Sequence, residues 1–217
     1  MTAVRPEPAV LTGRFIRLEP LVEAHLDGLY RAICRPEVFA GGFGGGPAGL
    51  PRDREAFAAW TARYGTGPDA IRFVARITGG PHDGEIVGAS TLGDLDEDRE
   101  HAHIGWTAFD PRVWGTQVNP EAKLLMLGLA FSRGFGRVKL QADERNARSR
   151  RAMERIGAHF EGIVRRDMRR ADGTWRDSAV YSILVDEWPE VRRGLQRRLA
   201  AFEGRPVIFR EPASPGA

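Results

Sequence analysis

Residues 112–157 restrict the fold more than any other part of the chain, because they place a strand signal between two helix signals. Asn119 predicts the start of the first helix, since its side-chain oxygen can accept an orphan backbone N–H. Pro120 follows at the first helical position, where its missing N–H costs nothing. The apolar run that comes next ends at Gly134 and Gly136, as helix C-termini prefer.

A short strand and a second helix complete this stretch. Residues 138–142 (VKLQA) lie between turn signals and predict the strand. Asn146 and Ser149 open the second helix, its apolar residues have helical spacing, and Gly157 ends it. Two helix N-termini beside one strand predict an anion site, because free N–H groups and the helix dipole both favour phosphate there.

The second helix also carries a motif. Asn146-x-x-Ser149, followed by Glu154 and Gly157, resembles the N-x-x-S-x-x-x-x-E-x-x-G segment of the GNAT superfamily of N-acetyltransferases. Further segments, in the same order along the chain, are similar to the RimJ/RimL-like branch of that family: residues 114–123, 160–162 and 176–182. The likeness extends over about residues 12–200.

The start of the first helix departs from the family pattern. The usual acyl-CoA loop is Gln/Arg-x-x-Gly-x-Gly/Ala, whose small residues let backbone N–H groups approach a pyrophosphate. Residues 115–122 read GTQVNPEA and contain a single glycine. Glu121, in the first turn of the helix, is expected to oppose a phosphate electrostatically.

Length and composition indicate one domain. A chain of 217 residues with 42% hydrophobic residues can bury a sizeable core. We expect a loose segment over residues 1–12, a single domain over 13–202 and an irregular tail over 203–217. No apolar run approaches the roughly 20 residues that a membrane helix needs, and the first residues lack the apolar core of a signal peptide. The single cysteine, Cys34, allows no internal disulfide, so a cytoplasmic location is predicted.

The charges point to a small anionic ligand rather than to nucleic acid. The chain has 32 basic and 29 acidic residues, a net charge of +3 and a pI of about 9.5. Its arginines cluster within residues 145–155 and 165–170, but aromatic residues that could stack on bases do not interleave with them. An acyl-CoA, with its pyrophosphate and 3′-phosphate, needs fewer positive charges and suits the first cluster better.

The order of the remaining patterns defines the fold class. Strands are predicted at residues 14–19, 71–77, 85–92, 101–109, 138–142, 160–168 and 175–185, and further helices at about 21–34, 52–64 and 187–201. This order predicts an α/β fold of the α+β type, with a mixed, mostly antiparallel sheet flanked by helices. The resemblance implies the GNAT acyl-CoA N-acyltransferase fold, in which the sheet splays between strands 4 and 5 and the acyl-CoA enters there.

A glycine-rich segment at residues 41–49 (GGFGGGPAG) suggests a phosphate loop at first sight. It lacks the Gly-Lys-Ser/Thr ending of such loops and no strand precedes it. We interpret it as a mobile loop between two helices. The resemblance implies that it lines the acceptor side of the site, and a flexible connector is the alternative.

Direct acyl transfer to an amine needs a neutral amine and a protonated or stabilised leaving thiolate. The resemblance implies Ser149 as the general acid, and its place in the first turn of a helix agrees. His103 stands on the fourth strand, where many relatives carry Glu, and a histidine has a suitable pKa for a base. Asp98, Glu100 and His101 are alternatives. The pair of His101 and His103 has no third ligand near in sequence, so no metal is predicted.

The cofactor site is expected to combine both helix starts with the end of the fourth strand. Asn146 would hold the pantetheine arm through its amide. The splayed strand would leave backbone groups near Phe109 free to pair with the pantetheine amides. The predicted pyrophosphate contacts are Thr116, Val118 and Asn119, with Lys123 and Arg151 adding charge.

The leading hypothesis is therefore an acyl-CoA-dependent N-acyltransferase that moves an acetyl group from acetyl-CoA to a primary amine. The acceptor could be a protein N-terminus, a lysine or a small-molecule amine. An alternative within the enzyme class uses succinyl-CoA, and the other class is a non-catalytic module that binds CoA or nucleic acid. A homodimer is compatible with the resemblance.

Overall fold

The strands and helices follow the predicted order in a computed structural model that describes residues 2–67 and 69–211. The strands are β1 (Leu11–Thr12), β2 (Ile16–Pro20), β3 (Ile71–Ile77), β4 (Ile86–Asp96), β5 (His101–Phe109), β6 (Arg137–Asp143), β7 (His159–Arg169) and β8 (Trp175–Leu184). The helices are α1 (Leu26–Ile33), α2 (Pro36–Ala40), α3 (Arg54–Thr61), α4 (Val118–Ser132), α5 (Ala147–Arg155) and α6 (Trp188–Ala200), besides single turns of 3-10 helix.

All eight strands belong to one sheet, in the order β1-β2-β3-β4-β5-β6-β8-β7. Every neighbouring pair is antiparallel except β5 and β6, which are parallel because α4 carries the chain back between them. The predicted fold class, a mixed and mostly antiparallel sheet flanked by helices, is confirmed.

Helices cover both faces of this sheet. The main core cluster joins one face to α4, α5 and α6 and includes Met126, Met153 and Leu195. A second cluster joins the other face to α1, α2 and α3 and includes Phe39 and Phe57. Because successive side chains of a strand point to opposite faces, each strand can contribute to both clusters.

The predicted splay lies between β5 and β6, the fourth and fifth strands of the sequence pattern, since the short β1 precedes them. These two strands pair only from His101↔Arg137 to His103↔Lys139. Beyond that point β5 pairs with β4 and β6 pairs with β8, but β5 and β6 no longer pair with each other. The sheet therefore opens along the second half of β5.

The start of α4 differs from the prediction. The helix begins at Val118, so Asn119 lies inside the first turn and does not cap it. Gln117 occupies the N-cap position without a side-chain cap bond, and Thr116 Oγ1 accepts the N–H of Val118 at 3.4 Å instead. The Asn-Pro signal was misread because Pro120 is tolerated anywhere in the first turn, where N–H groups have no helical partner.

Glu121 also behaves differently from the expectation that it would oppose a phosphate. Its buried carboxylate accepts the backbone N–H groups of Arg14, Phe15 and Ile16 at 2.7, 2.7 and 2.8 Å. A Cβ at Gly13 would lie 2.5 Å from its Cδ. Burial raises the pKa of Glu121 despite these three N–H donors. Glu121 therefore anchors the β1–β2 turn to α4.

The segment expected to be loose at the N-terminus is packed against the domain. Ala3 is buried, and the N–H of Val4 donates to the carbonyl of Arg133 at 2.8 Å. Within the tail, residues 205–211 have no regular secondary structure, as predicted, but Val207 is buried and Phe209 stacks on His82 with ring centres 3.7 Å apart. The last six residues of the predicted tail lie outside the described residues.

Residues 41–49, interpreted as a mobile loop, form two turns of 3-10 helix with defined contacts. Phe43 packs edge-on against the ring of Tyr64, and the hydroxyl of Tyr64 accepts the N–H of Gly44 at 3.0 Å. The carbonyl of Gly45 accepts the N–H of Ala171 at 2.9 Å. This segment, called the glycine loop below, therefore connects α3 to the β7–β8 turn.

Candidate active site

A cleft of about 200 Å³ lies where β5 and β6 diverge. One wall is the second half of β5, and the other consists of β6 and the first turns of α5. The start of α4 and the glycine loop close its ends. The residues that matter for its chemistry are Phe43, Gly105, Trp106, Thr107, Phe109, Trp114, Asn119, Lys123, Gln141, Asn146, Arg148 and Ser149.

The start of α5 agrees with the sequence reading. Asn146 is its N-cap, and the Asn146 side-chain oxygen accepts the N–H of Ser149 at 3.0 Å. The amide nitrogen of Asn146 donates to the carbonyl of Gly41 at 2.6 Å. Ser149 faces the cleft, and in the described part of the chain its hydroxyl has no hydrogen-bond partner. The hydroxyl is therefore available to a ligand in the cleft.

A β-bulge shapes the opposite wall. Ala89 and Thr91 of β4 pair with Ala108 and Gly105, so β5 contains one extra residue over this interval. Trp106 has a φ of +48°, which is rare for a residue with a large side chain. Bulges re-aim side chains and interrupt pairing, and they are frequent beside active sites. Here the bulge lies on the wall that faces the open part of the sheet.

Lys123 lies under this wall and is buried, with 5% of its surface exposed. Its ammonium group donates to Thr107 Oγ1 at 3.0 Å and to Ser90 Oγ at 3.5 Å. It has no carboxylate partner within the described residues, and burial lowers the pKa of Lys123 to about 7. A side chain that is about half neutral at pH 7 is a weak electrostatic partner for a pyrophosphate.

His103 is paired with a carboxylate that sequence reasoning did not identify. Its Nδ1 lies 2.8 Å from a carboxylate oxygen of Asp94, which Lys139 also approaches at 3.4 Å. Burial lowers the pKa of His103 below its usual value, and Asp94 offsets this only in part. Neutral imidazole that donates from Nδ1 to Asp94 has a free lone pair on Nε2, as a general base requires.

The Nε2 atom of His103 is buried and has no partner among the described residues. A Cβ built on Gly105 would lie 2.6 Å from it, and the ring of Trp106 packs 4.8 Å away between ring centres. Gly105 and Trp106 line the cleft, whereas His103 itself does not. The free nitrogen thus lies directly behind the glycine in the cleft wall.

Arg148 is a second residue that the sequence reading missed. It lines the cleft in the first turn of α5 and stacks on the ring of Trp114, with 3.3 Å between its guanidinium carbon and the ring centre. Partial burial lowers the pKa of Arg148. Arg151, the arginine chosen from the sequence, is exposed and lies outside the cleft lining. Successive residues of a helix are separated by 100° around its axis. Arg148 is therefore closer to the side of α5 that carries Ser149 than Arg151, which is two residues away from Ser149.

The other predicted residues divide into two groups. Phe109 and Asn119 line the cleft together with Lys123, Asn146 and Ser149. Thr116 and Val118 are buried beside it, and the hydroxyl of Thr116 donates to the carbonyl of Val113 at 2.6 Å. The carbonyl of Phe109 already accepts the indole N–H of Trp114 at 2.8 Å.

Two further properties of the described residues concern metal ions and membranes. They contain no cluster of three or more His, Cys, Asp or Glu side chains arranged to hold a metal ion. None of their helices is long and apolar enough to cross a membrane.

A sheet that opens between two parallel strands, with a helix N-terminus on one wall of the opening, forms a cleft suited to a ligand with phosphate groups. The sequence model described as "Acetyltransferase (GNAT) domain" matches residues 16–159. The chain belongs to the GNAT acetyltransferase family. Its activity is accordingly that of an acyl-CoA-dependent N-acetyltransferase, and the acceptor is not defined by the family.

Solved structures agree with the assignment of the chain to this family. A GCN5-related N-acetyltransferase from Brucella melitensis is 29% identical, with a TM-score of 0.81 over 90% of this chain and 87% of that one. A putative acetyltransferase from T. thermophilus is 34% identical, with a TM-score of 0.77 over 89% and 98% of the two chains. RimJ of Mycobacterium smegmatis, solved with CoA-disulfide, shares the fold at 21% identity, with a TM-score of 0.66 over 89% and 95%. A comparison with curated proteins gave no match.

Proposed function

We propose that the cleft between β5 and β6 holds acetyl-CoA, and that His103 deprotonates an amine acceptor that enters from the face covered by α1, α2 and α3. The observation that carries this proposal is the pairing of His103 with Asp94, which leaves a buried Nε2 atom without a partner behind Gly105. Ala102 and Ile104, the strand neighbours of His103, belong to the core on the other face. His103 therefore faces the acceptor side.

The reaction requires three proton movements. Nε2 of neutral His103 takes a proton from the attacking ammonium group, directly or through one water at Gly105. The acyl carbon then exchanges its bond to sulfur for a bond to nitrogen, and the nitrogen releases its second proton to solvent water as the amide forms. Ser149 Oγ donates a proton to the departing thiolate across the cleft and regains one from solvent. Asp94 keeps the imidazole in the tautomer that has its lone pair on Nε2.

The residues around the cleft suit a ligand with phosphate groups. Arg148 offers a guanidinium group on its wall, and Asn119 in the first turn of α4 lines the cleft near the helix N-terminus. Thr116 and Val118 would contact a pyrophosphate through their backbone N–H groups only after release of the bonds that these groups donate to Val113 and Thr116. Lys123 would regain its proton beside a phosphate, because a nearby negative charge raises the pKa of a lysine. Asn146 would bind the pantetheine arm through its amide. Arg151 would contribute only as a distant charge.

The acceptor in this proposal is a primary amine, either a protein N-terminus, a lysine or a small molecule. Protein N-termini are favoured by the similarity of residues 114–123 and 176–182 to the RimJ/RimL-like branch, and by the fold shared with RimJ. We further infer a bacterial cytoplasmic protein, since the named relatives are bacterial. A homodimer is supported by β7, a sheet-edge strand that exposes Phe160, Val164 and Met168.

Calorimetric titration with acetyl-CoA, succinyl-CoA and free CoA tests the cofactor site. We expect acetyl-CoA to bind to the wild type and to bind more weakly to Asn146→Ala. Asn146→Asp is the matched comparison, because it keeps the capping oxygen of α5 while it removes the amide donor and adds a negative charge. Tighter binding of succinyl-CoA than of acetyl-CoA would identify succinyl-CoA as the acyl donor. Failure of all three ligands to bind would contradict it in favour of a partner-binding module.

A further inference from the structure

One charged side chain beyond the cleft has no partner. Arg176 on β8 is half-buried, and its Nε atom is buried without a hydrogen bond. Within the described residues, none of its nitrogens donates a hydrogen bond or lies within 4.0 Å of a carboxylate oxygen. Burial lowers the pKa of the Arg176 guanidinium, because a charge without a partner is poorly stabilised away from water.

The acidic side chains nearest to Arg176 are engaged elsewhere. One carboxylate oxygen of Asp143 accepts the N–H of Arg145 at 3.0 Å. The other accepts two bonds from Arg170, at 2.7 and 3.0 Å, in an ion pair that is almost fully buried. Asp167 is exposed and forms no ion pair with Arg176. The Asp143–Arg170 pair therefore has no net charge, and no ion pair within the described residues balances the positive charge of Arg176.

Ser178 provides a second unpartnered polar group on the same side of the sheet. It lies two residues after Arg176 on β8, so both side chains point to the same face. Its hydroxyl oxygen is fully buried and has no partner among the described residues. Buried polar atoms are nearly always hydrogen-bonded in folded proteins, so these two atoms are available to a polar ligand or to water.

This pair lies beyond the part of β6 that lines the cleft. Gln141 lines the cleft, and Asp143, two residues further along β6, pairs in register with Ser178. The glycine loop covers this region closely, since a Cβ on Gly42 would lie 2.9 Å from Asp143. Two residues of a strand span about 7 Å and neighbouring strands are about 5 Å apart, so the steps to Asp143, across to Ser178 and on to Arg176 place the Cα of Arg176 roughly 15 Å from that of Gln141.

We propose that Arg176, assisted by Ser178, binds an anionic oxygen group of the acceptor, a carboxylate or a phosphate. The acceptor is then an amine that also carries a negative charge several bonds away from its reacting nitrogen. This inference rests on the proposed function, in which the acceptor amine reaches His103 on the same face of the sheet. A guanidinium group suits this task because its N–H groups match the two oxygens of a carboxylate or phosphate.

Direct binding is tested on the free protein by NMR of the arginine side-chain N–H groups. The Arg176 Nε–H resonance is identified by its loss in Arg176→Lys. We expect it to shift saturably on addition of sodium acetate or inorganic phosphate, and the stronger of the two identifies the class of anion. The exposed Arg165 serves as an internal control whose resonance stays in place. No shift of the Arg176 resonance with either anion overturns the proposal.

Turnover is tested by thiol release from acetyl-CoA with matched peptides that have a free N-terminal amine: Ser-Ala-Asp amide, Ser-Ala-Asn amide and the phosphoserine analogue. We expect the wild type to prefer an anionic peptide by about tenfold or more in kcat/KM, as for a charge-assisted hydrogen bond. Arg176→Gln should abolish the preference, Arg176→Lys should retain part of it, and Arg165→Gln should leave it unchanged.

The possible failures are distinguishable. Equal rates with the Asp and Asn peptides, unaffected by Arg176→Gln, overturn the anion site and leave the proposed function intact. No acetyl-CoA binding, and no thiol release with any amine, overturns the proposed function. The NMR titration then still decides whether Arg176 binds an anion.

Discussion

His103 and Asp94 form a pair on adjacent antiparallel strands, with 2.8 Å between Nδ1 of the histidine and a carboxylate oxygen of the aspartate. Asp94 has a φ of +49°, and it lies inside the interval between Gly93 and Asp96 where the strand register shifts. The pair therefore depends on an irregular stretch of β4 that a regular strand pattern would not have produced. The catalytic part of the proposed function depends on it.

Replacement of His103 tests the base. His103→Gln should lower kcat by about 10²–10⁴, the usual contribution of a general base, while acetyl-CoA binding stays within about twofold of wild type. His101→Gln is the matched control, because His101 lies two residues away on the same strand face and is partly exposed. Steady-state thiol release measures both variants, and equal kcat values for the two would assign the base to another group.

The pH dependence of kcat has a defined sign. Burial lowers the pKa of His103 below 6.5, and the base acts only when it is deprotonated. We expect kcat to fall as the pH drops through this lowered pKa and to be level above 6.5. The profile of Lys123→Met should keep an inflection, moved to slightly higher pH because the positive charge of Lys123 contributes to the lowered pKa of His103. Loss of the inflection in Lys123→Met would contradict the role of His103.

Gly105 is predicted to keep His103 accessible. Gly105→Ala places a methyl group 2.6 Å from Nε2 in the present geometry, so we expect a loss of kcat of tenfold or more with cofactor binding retained. Gly128→Ala on α4 is the control, because its Cβ would meet nothing closer than 3.8 Å and alanine favours a helix by about 1 kcal/mol. Calorimetry measures acetyl-CoA binding by both variants, and thiol release measures their kcat.

Arg148 and Arg151 form a matched pair for cofactor affinity. Arg148→Ala should raise the Kd for acetyl-CoA about tenfold, because Arg148 lines the cleft and would pair with a phosphate. Arg151→Ala should change it much less, since Arg151 is exposed on the same helix outside the cleft. A larger effect at Arg151 would mean that the phosphates follow a different path over α5.

Lys123 should make stability depend on pH. Its folded pKa is about 7 and its ordinary value is 10.5, so between these two values the unfolded chain binds the additional proton. The free energy of unfolding of the wild type, relative to Lys123→Met, should therefore increase from pH 7 to pH 10.5. The slope approaches about 1.4 kcal/mol per pH unit in that window. Urea denaturation of both proteins measures it, and parallel curves would show that Lys123 titrates normally.

The sequence predicted the framework better than the site. The order of strands and the Asn146 cap follow from local patterns, because hydrophobic period and capping chemistry act within a few residues. The splay was implied only by the resemblance to the GNAT family. Asp94 could not be found in this way, since its contact with His103 depends on a bulge. Arg176 belongs to residues 176–182, which resemble the RimJ/RimL-like branch, but no local sequence pattern shows that its charge will lack a partner.

The errors at α4 have a common cause. Asn119 was read as a cap and Glu121 as an obstacle to phosphate, because both stand in the first turn of a predicted helix. In the structure the carboxylate of Glu121 is hydrogen-bonded by three backbone N–H groups that come from residues more than a hundred positions earlier. Long-range backbone partners of this kind leave no signal in the neighbouring sequence.

Asn146 connects the two halves of the site through a single side chain. Its oxygen fixes the first turn of α5, and its nitrogen fixes Gly41 at the start of the glycine loop. The amide nitrogen carries two hydrogens, so it can donate one to a pantetheine group while Gly41 keeps the other. One side chain would then hold the acyl donor, helix α5 and the glycine loop together, so that binding of the acyl donor and the position of the loop over the acceptor end would depend on each other.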